Sequence, residues 1–175
     1  MLDNIQERDQ IMYIDIMIVN GNPFLTAVVK PLEYIMVNKL NNIANLTLWT
    51  NLESNIRRIT KYVFSLNLVR VDGEGAINSV WFETKLATIG IALDTTGAVE
   101  RLSLSIALVT VVERKIRQIK ERIRAVMHTL PFRLTEKLEG WLVRYVVNRI
   151  VLVSTRNTVD YVSPREKLYG RKKCR

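Results

Sequence analysis

The chain has 175 residues, 48% of them apolar and 25% charged, with a formal net charge of +9. That length and balance suit one folded domain and exclude a disordered or fibrous chain. The excess of base points to a polyanionic partner, nucleic acid or an acidic membrane surface. The single cysteine, Cys174, can form no intramolecular disulfide, and with only His128 beside it no zinc site of the Cys and His kind can be built.

In chain order, residues 1–10 are polar and acidic and read as an extension, not a signal peptide. Residues 11–155 read as the folded core, and residues 156–175 as a basic tail. Ile11 to Val19 is a β-rich run that enters the turn Asn20-Gly21-Asn22-Pro23, and Phe24 to Val29 follows as the second strand of a hairpin. Lys30-Pro31 ends that strand, and Tyr34 to Val37 reads as a short third strand at a sheet edge. From Leu48 to Phe64 the apolar residues step by three and four, which predicts a helix with Arg57, Arg58 and Lys61 on its polar side.

Leu66 to Val71 is a compact apolar run that stops at Asp72-Gly73-Glu74-Gly75, a buried strand followed by a loop. Ala76 to Thr88 has helical spacing through Ile77, Val80, Trp81 and Leu86, with Gly90 as its stop. Ile91 to Leu93 reads as another short strand and Asp94-Thr95-Thr96-Gly97 as a loop. Leu102 to Val112 fits either a strand or a buried helix. Glu113 to Leu130 predicts a helix, closed by Pro131, and Leu138 to Val153 a second one with Trp141, Leu142, Tyr145, Val146 and Ile150 on its apolar face. The apolar stretches 102–112 and 141–153 are too short, or are broken by Arg144 and Arg149, to span a membrane, so no membrane partner is expected. Strands mixed with helices in this order predict an α/β fold, a mixed sheet flanked by helices.

Three carboxylates carry the chemistry. Hydrolysis or transfer at a phosphodiester by two hard cations needs oxygen ligands that hold both ions. Asp15 lies inside the first strand, Asp72 ends a strand, and Glu113 opens a helix whose dipole would favour an anion. Taken singly, each has a plainer reading: a solvent-facing strand residue, a turn former before Gly73, a first-turn acid. Along the helix, Glu113, Arg117, Lys120 and Arg124 share one face, while Ile116, Ile119, Ile123 and Val126 share the buried one. A carboxylate followed by three cations sets metal and phosphate contacts side by side. An RNA-binding protein of the same charge would interleave stacking aromatics with that stripe, and Arg114 to Arg124 contains none.

Four blocks in order, Asp15-Ile16-Met17-Ile18-Val19-Asn20-Gly21-Asn22-Pro23-Phe24-Leu25, Val71-Asp72-Gly73-Glu74-Gly75-Ala76, Val112-Glu113-Arg114-Lys115-Ile116-Arg117 to Arg124, and Ser163-Pro164-Arg165-Glu166 with Tyr169-Gly170-Arg171-Lys172, resemble the integrase core of copia-type retrotransposon polyproteins. The resemblance implies a ribonuclease-H-like fold with a five-stranded mixed sheet and helices on both sides. It implies Asp15, Asp72 and Glu113 as catalytic ligands of two Mg²⁺ or Mn²⁺ ions. It implies Arg117 and Lys120 as contacts to the element's terminal DNA, with Arg124 on the same stripe. The implied reactions are trimming of DNA 3′ ends and transfer of the new 3′-hydroxyl to a target phosphodiester. The implied partners are element and target DNA and further copies of the chain, with no small-molecule substrate. An intracellular place follows, nuclear in a eukaryotic host. The chain departs from the family in lacking the paired His and Cys of its amino-terminal zinc module and in leaving no room for a carboxy-terminal DNA-binding domain. The interval from Asp72 to Glu113 is also longer than usual, and apolar residues 98–111 stand where a Gly-rich loop is expected. These departures open an alternative: a catalytically inactive fragment of the same fold that binds DNA or self-associates.

Overall fold

Strands β1 (Asp9–Val19) and β2 (Asn22–Lys30) pair antiparallel with Val19 opposite Asn22. This leaves Asn20 and Gly21 as a two-residue turn, at φ 48 and 82. Two left-handed residues are what a type I′ hairpin turn demands, and Asn-Gly meets that demand at least strain. A computed structural model describes residues 9–62, 64–72, 80–96, 105–153 and 162–170, with the backbone alone described at 72, 96 and 105–110. Most of the extension at 1–10, the loop at 73–75, Ile77, residues 97–104 and Cys174 lie outside the described residues.

Beyond the hairpin, β3 (Tyr34–Lys39) adds antiparallel to β2 and forms one edge. On the other side β4 (Ser65–Asp72) runs parallel to β1, and β5 (Ala92–Thr96) parallel to β4. The result is a five-stranded mixed sheet in the order β3-β2-β1-β4-β5. Met12 and Ile14 point to one face of β1, Tyr13 and Met17 to the other, and all four are buried, so helices cover both faces. Helix α1 (Asn45–Thr60) buries Leu48, Leu52, Ile56 and Ile59 and packs on β2 and β4. Helix α2 (Val80–Ala87) packs on β5, and α3 (Ser105–Thr129) lies along β1 and β2. Helix α4 (Glu136–Leu152) packs on β3 and α3, and α5 (Pro164–Tyr169) on α4 and β3.

Four expectations change. Residues Asp94 to Thr96 belong to β5 and not to a loop, because β4 supplies them with ladder partners, Arg70 to Asp94, Val71 to Thr95 and Asp72 to Thr96. The undecided segment before Glu113 is helical from Ser105, so Glu113 sits inside α3 and not at its head. In α2 the inward face is Phe82 and Leu86, both fully buried; Val80 is 78% exposed, and Trp81 meets Trp49 edge-on at the rim. In α4 the buried stripe is Gly140, Val143, Val146, Val147 and Ile150, which turns Trp141 and Tyr145 outward at 61% and 57% exposure. A Cβ at Gly140 would meet the Lys39 side chain at 3.5 Å, an ordinary contact, so the packing of α4 on β3 does not depend on that glycine.

Candidate functional site

The parallel ladder between β1 and β4 organises the carboxylates. Tyr13 stands opposite Arg70, and Ile14 opposite Val71, so Asp15 and Asp72 are the next residues of two neighbouring strands. One alternate step earlier, on the Tyr13 face, a row crosses three strands. Arg70 Nε donates to Asp94 Oδ2 at 2.7 Å, and its guanidinium lies 6.0 Å from the Tyr13 ring centroid. That row ties β1, β4 and β5 together directly beside positions 15 and 72.

Asp15 is half-buried, and its Oδ1 accepts the Ile16 amide N–H at 2.6 Å, which sets the carboxylate's orientation. Across the hairpin Asp15 faces Thr26, whose fully buried hydroxyl has no hydrogen-bond partner among the described residues. Asp15, Asp72 and Glu113 are hard oxygen donors of the kind Mg²⁺ or Mn²⁺ prefers, and the unpartnered hydroxyl beside Asp15 marks a polar locality. Their chemistry fits such an ion. Among the described side chains, which exclude that of Asp72, no three of His, Cys, Asp or Glu gather closely enough to hold a metal. The ladder makes Asp15 and Asp72 the next backbone positions after its last pair, Ile14 and Val71. Glu113 is exposed on α3 and makes no ion pair or hydrogen bond with another described residue.

On α3, Val112, Ile119 and Ile123 are buried, with Ile116 and Val126 partly so, while Arg117 and Arg124 are exposed and Lys120 is half-buried. The faces therefore divide as the spacing predicts. Sequence reading missed a second group. Lys30, at the end of β2, pairs with Glu33, and Lys115 Nζ comes to 3.7 Å of the same carboxylate. Burial, then Lys115 and Arg114, push the Lys30 pKa down; burial, then Arg122, do the same at Lys115. The seven-residue step from Lys115 to Arg122 was the one available signal. Leu138, Trp141, Tyr145 and Leu152 make an exposed apolar stripe along α4.

Solved structures similar to this chain include the crystal structure of the catalytic core domain of BIV integrase, with a TM-score of 0.64 at 15% identity, covering 90% of this chain and 92% of that chain. The fold is that of an integrase catalytic core. At that identity the likeness speaks for the ribonuclease-H-like arrangement of strands and helices alone. No protein-family model and no curated protein matches the chain. Among the described residues no helix is long and apolar enough to cross a membrane.

Proposed function

We propose that the chain is a retroelement integrase core, of copia type by its four sequence blocks, that acts as a metal-dependent polynucleotidyl transferase on DNA. The observation that supports the reading is the β1–β4 ladder, whose last pair is Ile14 with Val71, so that Asp15 and Asp72 are the next backbone positions of two neighbouring central strands. Asp15, Asp72 and Glu113 would hold two Mg²⁺ or Mn²⁺ ions. When bound, such ions activate the attacking oxygen and stabilise the leaving one. The chain's own residues do the rest. The Ile16 amide orients Asp15. Arg117, Lys120 and Arg124 take phosphates along one side of α3, where charge-assisted contacts both hold and align the duplex. Residues 11–155 would form the transferring core, flanked by 1–10 and by the basic 156–175. Copies of the chain would associate through the exposed aromatic stripe of α4. Such a protein would work inside the cell, and in the nucleus of a eukaryotic host.

A second reading has its own observation. Helix α3 begins at Ser105, so an extra helical segment precedes Glu113 where a positioning loop is expected, and Glu113 loses the favourable end of the helix dipole. A fragment with this fold could bind DNA or self-associate without turnover. Calorimetric titration with Mn²⁺ separates the two. The transferase reading expects binding that Asp72→Asn abolishes, and it fails where wild type and variant give the same heat.

A further inference from the structure

The side of α3 that faces away from the expected DNA stripe is basic as well. At about 100° per residue, Arg117, Lys120 and Arg124 lie to one side of the buried Ile119 and Ile123 row, and Lys115 and Arg122 to the other. On that second side Lys30 and Lys115 converge on the Glu33 carboxylate, with Lys115 Nζ 3.7 Å away. Arg114 lies close enough to act on the charge of Lys30, and Arg122 on that of Lys115. Among the described residues Glu33 is the one carboxylate in contact with this group, and it meets two of its four cations, which leaves the junction of β2 and α3 positive. Glu33 holds φ 58, a left-handed conformation that a non-glycine residue keeps only where its surroundings hold it. Its carboxylate lies between the two lysines and so holds Lys30, from the end of β2, beside Lys115 of α3.

A helix with its side chains is about 10–12 Å across, close to the roughly 12 Å width of the DNA major groove. Phosphates run along both walls of that groove. A helix with one basic flank can hold one strand; a helix with two can hold both. We propose that Lys30, Lys115 and Arg122 form a second phosphate-contacting flank, so that α3 grips double-stranded DNA through both of its strands. This rests on the DNA-binding part of the reading above and adds to it residues of the opposite flank, one of them from a strand.

The test is fluorescence anisotropy of a short duplex and of one of its strands alone, over a series of salt concentrations, with wild type, Arg122→Ala, Lys30→Gln and Lys120→Ala. Arg122 is exposed, so its truncation spares the core even where Lys30→Gln weakens folding. The expected result is a duplex affinity that falls in Arg122→Ala and Lys30→Gln, with a logarithmic salt slope shallower by about 0.9 for each phosphate no longer neutralised, while single-strand affinity holds. Wild-type duplex binding by both variants, with Lys120→Ala weakened, overturns the second flank and leaves the DNA-binding reading standing. Equal weakening on duplex and single strand overturns it too, since a diffuse basic surface does the same. Failure of wild type to bind duplex at all removes the DNA-binding reading itself.

Discussion

The hydroxyl of Tyr34 faces that of Tyr169 across 3.4 Å, and Arg58 joins them. Arg58 Nη2 and Nε donate to the Tyr169 oxygen at 2.6 and 3.2 Å, so the guanidinium, Tyr169 and Tyr34 form one hydrogen-bonded group. Burial, then this bond to Tyr169, pushes the Tyr34 pKa well up. At Tyr169 burial acts upward, but the bonds from Tyr34 and Arg58 outweigh it and the pKa falls. The two signs have opposite consequences. Tyr34, raised above its unfolded value of about 10, contributes stability that is whole below that pH and is lost as pH climbs further. The Tyr169 contribution is complete above pH of about 10 and is lost as pH falls through its lower folded value. Above pH of about 10 the wild type should therefore lose stability more steeply than Tyr34→Phe, by up to about 1.4 kcal/mol per pH unit. Urea unfolding over that range reads it directly, and parallel slopes would remove Tyr34 from the linkage. Nothing in the spacing of residues 34, 58 and 169 announces this cluster; it exists because α5 returns to the β3 edge.

Elements whose structure is decided locally were legible, and those decided by a partner were not. The hairpin follows from Asn20-Gly21 alone, because those two residues meet the φ demand of the turn without help from the rest of the chain. Substituting Gly21→Ala forces a Cβ into the left-handed region and should cost about 1–2 kcal/mol. The cost is steric to the backbone itself, since open space surrounds the added atom. A denaturation midpoint equal to wild type would contradict it. Glu139 of α4 also holds the turn, accepting from Asn20 at 2.8 Å and Asn22 at 3.2 Å, so the hairpin is docked as well as folded. By contrast Asp94 to Thr96 has a loop's composition and becomes a strand only because β4 offers a ladder and Arg70 a counter-charge. The apolar run before Glu113 could not be assigned because neither period dominates it, and the helix that follows carries it along. The same dependence shapes the candidate site. Asp15 and Asp72 were each visible, but their adjacency is a property of parallel register, which no local signal contains.

Among the described residues, α3 and α4 expose different chemistry. Basic residues crowd α3, while α4 turns Leu138, Trp141, Tyr145 and Leu152 to solvent, a contiguous stripe longer than isolated surface residues need. Large aromatics on such a patch are the anchors that protein interfaces favour. Sedimentation of the wild type should show self-association that Trp141→Ala weakens by at least tenfold in dissociation constant, about 1.4 kcal/mol. A wild type that stays monomeric at every concentration would contradict association through α4.

The mixed five-stranded sheet was legible from the order of elements, and its likeness to an integrase core was carried by four short blocks spread along the chain. Whether a chain with that fold turns over is a question about its acids and not about its sheet. The most direct measurement is a strand-transfer assay with Mg²⁺, pre-trimmed DNA ends and a target duplex. A transferase built on Asp15, Asp72 and Glu113 gives joined products that vanish in Asp72→Asn while DNA binding persists. Folded, DNA-binding wild type that yields no joined product, or an Asp72→Asn variant that yields as much, contradicts it.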